Sequence, residues 1–128
     1  QADGEFTTAK AREEMSRLLT KYEDIDVLIS QNDDMTFGAL DALRAAGRSP
    51  ESGDDMIILS FDGTRKALEL VESGVIYADL ECNPQQGEYL EEVIQKLEAG
   101  QEIERIYYVP EKIFTRDNVS RYIEDRTY

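Results

Sequence analysis

Three short polar stretches hold the residues best suited to chemistry. Ser30-Gln31-Asn32-Asp33-Asp34, Asp62-Gly63-Thr64 and Glu81-Cys82-Asn83-Pro84 each follow an apolar run. Asp62 alone admits four roles: phosphoryl-transfer nucleophile, metal ligand, hydrogen-bond acceptor for a ligand, or helix cap. As a set, Asn32, Asp62 and a member of the 81–83 stretch suit a neutral polyhydroxy ligand. An amide both donates and accepts, and a carboxylate accepts from two hydroxyls at once. Such charge-assisted bonds are roughly twice as strong as neutral ones. The set suits a phosphate badly, because two acids would face it without a Gly-rich cradle.

The catalytic alternatives can be checked residue by residue. The chain has no histidine, which removes His-based triads and zinc sites built on His. The D-x-D-G-T of haloacid dehalogenase-like phosphatases needs an aspartate two residues before Asp62, where Ser60 stands. A receiver-type phosphoacceptor needs an acidic cluster, which Asp33-Asp34 can imitate, and a placed lysine, for which Lys112 is a poor match. The D-x-[DN]-x-[DN]-G of a calcium loop is absent. The expectation is a binding protein rather than an enzyme, with no cofactor and no metal. Asp33 is the better cap for a helix starting at Asp34, and Asn32 the better ligand contact. Asp62 can also cap the helix after it. Phe6 is either an aromatic platform for a sugar ring or a staple onto its own helix. Cys82, the single cysteine, reads as a small buried residue.

Something must position these loops. The 128 residues, 41% of them hydrophobic, suit one domain with a modest core. No apolar run approaches the ~20 residues needed to span a bilayer. With 28 acids against 14 bases the net charge is −14, which repels phosphate backbones and argues against nucleic acid as a partner. Ala11, Met15, Leu18, Leu19 and Tyr22 share a helical face, with Thr7 or Thr8 as cap. Residues 27–29 read as a strand, and Met35, Ala39, Ala42, Leu43 and Ala46 as a helix closed by Gly47. After a polar turn at 50–55, strands are expected at 56–61, 75–80 and 106–109. Helices are expected at 64–73, stopped by Gly74, and around Leu90, Val93, Ile94 and Leu97, closed by Gly100. Val119, Tyr122 and Ile123 suggest a last short helix. This alternation predicts an α/β fold: a parallel sheet flanked by helices on both faces, with the three polar loops on its carboxyl edge. The chain opens on a helix with no preceding strand, so an upstream element is expected.

The stretches "DVLISQNDDMTFGALDALRAAGR" and "DDMIILSFDGTRKALELVESGVIYADLECNP" resemble the C-terminal half of type I periplasmic sugar-binding proteins, the solute receptors of ABC importers. The ribose, galactose and galactofuranose receptors look nearest, and "ECNPQQG" leans toward the galactofuranose branch. The resemblance implies a flavodoxin-like half of a two-lobed clamp that closes on a monosaccharide. On it, Asn32 of Q-N-D, Asp62 of F-D-G and Phe6 of "DGEFTTAK" match sugar contacts. Glu81 or Asn83 matches a polar contact at the third crossing between lobes.

The resemblance also implies a division of the chain. Residues 1–83 correspond to most of the C-terminal lobe. Residues 84–108 correspond to a segment of the N-terminal lobe, and 109–128 to the return and the natural C-terminus. The implied partners are a monosaccharide, an ABC permease and the N-terminal lobe. Homodimerisation is a further possibility, through an exposed strand at 105–109 with Arg105 and Val109 at its ends. The implied location is the periplasm, or the cell exterior on a lipoprotein anchor. The alternative is the effector-binding part of a LacI-type regulator or of a sugar-sensing signalling protein.

Overall fold

The computed structural model describes residues 1–50 and 56–128. The turn expected at 50–55 therefore lies, apart from Pro50, outside the described residues. Helix α1 (Thr8–Lys21) turns Ala11 and Met15 inward, and the Thr7 hydroxyl caps it by accepting from the Lys10 N–H at 3.3 Å. Strand β1 (Val27–Ile29) leads into α2 (Asp33–Ala45), which packs along α1. Gly38 makes that approach possible: a Cβ there would lie 2.1 Å from the Thr8 carbonyl oxygen. Next come β2 (Ile57–Asp62), α3 (Arg65–Ser73), β3 (Ala78–Glu81) and α4 (Gly87–Glu98). Strand β4 (Ile113–Thr115) and a 3-10 turn (Val119–Arg121) complete the order. Helices α2, α3 and α4 end at the glycines marked in the sequence: Gly47, Gly74 and Gly100 all have positive φ.

The sheet order is β1-β2-β3-β4. The first three strands are parallel, with Val27 opposite Ile57, Ser60 opposite Asp79 and Asp62 opposite Glu81. The fourth differs from expectation. Residues 106–109 form no strand; Ile106 and Tyr108 are exposed. The strand forms at Ile113–Thr115 and runs antiparallel to β3. The chain arrives at the carboxyl end of β3, where the Glu81 N–H donates to the Lys112 carbonyl at 2.8 Å. From that end a neighbouring strand can only run back antiparallel. Its register sets Phe114, fully buried, opposite Asp79. Burying such a ring contributes about 2–3 kcal/mol, and the exposed apolar residues at 106–109 offer no equivalent.

The core joins Met15 of α1, Leu40 and Leu43 of α2, Ile58, Leu68 and Val71 of α3, Ile76, Phe114 and Val119. It lies on the sheet face that carries Ile58, Ser60, Asp79 and Phe114. The opposite face leaves Val27, Ile29, Ile57 and Ile113 exposed, so the expected covering of both faces is not met within the described residues. Helix α4 contributes no buried residue, and Leu90, Ile94 and Leu97 of its apolar stripe stand in solvent.

Candidate functional site

The three polar loops do share the carboxyl edge of the parallel strands, and hydrogen bonds join them. Asp33 ties the first to the second. Its Oδ1 accepts from the Ser60 hydroxyl at 2.6 Å, and its Oδ2 from the Thr64 N–H and hydroxyl at 2.8 and 2.7 Å. The second loop meets the third where the Cys82 N–H donates to the Asp62 carbonyl at 3.1 Å.

Two capping expectations are corrected here. The cap of α2 is Asn32, whose Oδ1 accepts from the Met35 N–H at 2.9 Å. Asp33 is the first helical residue and buried, because its carboxylate serves Ser60 and Thr64. Asp62 does not cap α3; Thr64 does, through its hydroxyl. Asn32 still keeps its side-chain N–H donors for a ligand, since its cap bond uses only the oxygen.

Asp62 is half-buried, with φ at +120°, a region that disfavours side chains. Backbone strain of this kind costs of order 1–3 kcal/mol and clusters at ligand sites. Gly63 follows with φ at +76°, and a Cβ there would lie 2.9 Å from the Phe114 ring. The turn is thus pressed against the core below. Burial, then the charges of Asp33 and Asp34, push the Asp62 carboxyl above its ordinary range, against a hydrogen bond from the Asp33 backbone. A half-buried acceptor among acids gains most from hydroxyl donors brought by a ligand.

Phe6 lies beside the first polar loop, near Gln31, and is not brought into contact with Asn32 or Asp62 among the described residues. Its ring is 62% exposed, so packing on α1 does not consume it. Glu5 and Phe6 both have positive φ, an unusual pair that lifts the ring ahead of the Thr7 cap. Phe6 shares with Gln31 and Met35 a groove of about 890 Å³, which continues along Leu18, Val27 and Ile29 beside the open edge of β1. That groove is chiefly apolar and does not contain Asn32 or Asp62, so its size does not make it the polar site.

The third loop divides its two candidates. The Glu81 carboxylate is buried and engaged by Arg126 at 2.8 Å and by the Tyr128 hydroxyl at 3.1 Å, with Lys112 at 3.6 Å. Burial alone would raise its pKa, but these partners outweigh it and hold the group below its ordinary range. Glu81 is thus committed to anchoring the C-terminal segment. Asn83 is half-buried; its oxygen accepts from the Gln85 N–H at 2.9 Å, and its side-chain N–H groups have no partner among the described residues. Cys82 is exposed, not buried as expected, because it lies past the last residue of β3.

The sequence does not single out Asp79, Arg126 or Tyr128, and it marks Ser60 only as standing where a phosphatase nucleophile would be. An acid inside the apolar run "VIYADLEC" is the signal for Asp79. Arg126 and Tyr128 lie in a polar tail with no local pattern to mark them.

A family profile described as periplasmic binding protein domain matches residues 1–102. The chain belongs to the periplasmic binding protein domain family. Among its relatives, the ribose import binding protein of Salmonella typhimurium is 33% identical over 110 residues, covering 85% of this chain. This chain spans 36% of that relative's length. A Mycobacterium smegmatis protein crystallised with β-D-fucofuranose is 31% identical with a TM-score of 0.86, covering 98% of this chain and 40% of that one. The periplasmic binding protein of the arabinose ABC transporter from Shewanella sp. ANA-3, bound to L-arabinofuranose, is 28% identical with a TM-score of 0.84. It covers 97% of this chain and 41% of that one. The periplasmic binding protein fold thus accounts for the parallel strands and their shared carboxyl edge.

Proposed function

We propose that this chain forms the C-terminal half of a periplasmic receptor that binds a monosaccharide and presents it to an ABC permease. The observation that carries the reading is the strained, half-buried Asp62 at the carboxyl edge, on a turn hydrogen-bonded to the loop of Asn32. Asn32 donates to a sugar oxygen, Asp62 accepts from ring hydroxyls, and Phe6 covers an apolar face of the ring. Asn83 is the better contact from the third loop, since Glu81 is held by Arg126. The role is binding without chemistry. Relatives that are ribose and arabinose receptors support the class of ligand.

The same proposal supplies the rest of the protein. The open edge of β1, the exposed sheet face of Val27, Ile29 and Ile57, and the bare stripe of α4 are surfaces for the other half. Residues 84–108 then pack in the N-terminal lobe, and residues 109–128 return to the C-terminal lobe. Without that half, Ile103, Ile106 and Tyr108 favour self-association.

A thermal-shift screen of pentoses and hexoses against the full-length protein tests the reading. One sugar is expected to raise the melting temperature in proportion to ln[sugar] above its Kd. A flat response to the whole panel at 10,000-fold excess, a roughly saturating level for a micromolar ligand, contradicts it.

A further inference from the structure

Sugar binding leaves Asp79 without a role. It lies inside β3, fully buried, and neither of its carboxyl oxygens has a hydrogen-bond donor among the described residues. An ionised carboxylate is strongly disfavoured in such a place. Burial first, then the charge of the neighbouring Asp33 carboxyl, push the Asp79 pKa up to about 8. The charge of Asp62 adds to the effect, and the Gly63 backbone opposes it.

The geometry divides the roles within the pair. Asp33 accepts from Ser60 and twice from Thr64, and a carboxylate has room for a fourth donor. Its position in the first turn of α2 also favours negative charge there. Asp79, beside Ser60 in the sheet register, can supply the fourth donor only while it holds a proton. We propose that Asp79 is a positioning residue for the sugar site: it keeps a proton, donates it to Asp33, and so fixes the turn that presents Asp62. The effect on sugar rests on the function proposed above; the tie between Asp79 and the turn does not.

The charged groups around the pair agree with this division. Asp62 faces it from β2, and Asp34 of α2 adds to the field on Asp62. On the β4 side Asp79 meets Phe114, over whose ring the Arg126 guanidinium lies at 4.8 Å. Arg126 is itself paired with Glu81 of β3. Loss of the Asp79 proton therefore sets a second negative charge against Asp33, and the turn at Thr64 must move.

Two readouts on the full-length protein test this. Carbon-13 carboxyl NMR should show Asp79 titrating near 8, with the Thr64 amide signal moving at the same midpoint. Affinity for whichever of D-ribose, L-arabinose, D-galactose and D-fucose binds should fall about tenfold between pH 6 and pH 9, as the competent fraction falls. Asp79→Asn keeps a neutral donor to Asp33 and should make the profile flat over that range. The proposal is overturned if Asp79 titrates in the ordinary carboxylate range, if Thr64 does not follow it, or if Asp79→Asn keeps the wild-type decline. If neither these four sugars nor any other of the pentose and hexose panel binds, the sugar-binding reading fails, and the NMR titration still decides the tie.

Discussion

The Asp33 carboxylate accepts from both the backbone N–H and the hydroxyl of Thr64, so the start of α2 holds the start of α3 across the carboxyl edge of the sheet. The first loop fixes the conformation of the second, and Asp62 sits two residues before the held position. Replacing Asp33 with Ala removes both bonds and the one from Ser60. Bonds to charged groups are worth about 1.5–3 kcal/mol each before relaxation. We expect a loss of about 3 kcal/mol in urea unfolding, well above the ~1 kcal/mol of an average substitution.

Asp62 should display a trade between stability and binding. Its φ of +120° suits glycine, and its carboxylate lies in the field of Asp33 and Asp34. Asp62→Gly is expected to stabilise the fold by about 1 kcal/mol while removing the carboxylate proposed to accept from the sugar. Denaturant melts and sugar titration of one variant check both halves.

The Arg126–Glu81 pair anchors the C-terminal segment, and both side chains are buried. Among the described residues, Arg126→Ala leaves Glu81 with the Lys112 charge and the Tyr128 hydroxyl, and it should cost about 3 kcal/mol. Because the folded pKa of Glu81 lies below its ordinary value of 4.5, its contribution is complete above that value. The contribution is lost as pH falls through the folded pKa. Stability measured from pH 6 down to pH 3 should fall more steeply in the wild type than in Arg126→Ala.

Asp79 has the opposite sign. Its folded pKa of about 8 exceeds the ordinary 3.8, so the native state holds a proton that the unfolded chain has released. Stability from this group is complete below 3.8 and lost as pH rises toward 8, by at most ~1.4 kcal/mol per pH unit. Asp79→Asn should remove that slope, so its advantage over wild type grows between pH 5 and pH 8.

Much of this was legible in the residues. The helical spacing of Ala11 and Met15, the strand before Asp62 and the glycine stops at Gly47, Gly74 and Gly100 all fixed their elements locally. The fourth strand was not, because the apolar density at Ile106 and Tyr108 outweighs that of Ile113 and Phe114, and only packing against β3 selects the latter. The swap of roles between Asn32 and Asp33 was hidden for a similar reason. Either residue can cap a helix, and the choice rests on Ser60 and Thr64, about thirty residues away. The Glu81–Arg126 pair spans 45 residues, beyond any local pattern.

The bare stripe of α4 gives a test of the proposed packing against the other half of the protein. Leu90, Ile94 and Leu97 support nothing within the described residues. Replacing Leu90 and Ile94 with Gln should leave the melting of this chain within about 0.5 kcal/mol of wild type. In the full-length protein the same change should destabilise by at least 2 kcal/mol through lost burial, roughly. Paired melts of the two forms check this.

The function proposed above requires Asn32 and Asp62 to hold a sugar together at the edge of the sheet. Isothermal titration of pentoses and hexoses into the full-length protein, with Asn32→Ala and Asp62→Ala alongside, tests it most directly. Heat is expected with at least one sugar, and a loss of at least tenfold in affinity in each variant, ~1.4 kcal/mol or more. Equal affinity in wild type and both variants, or no heat from any sugar, would contradict it.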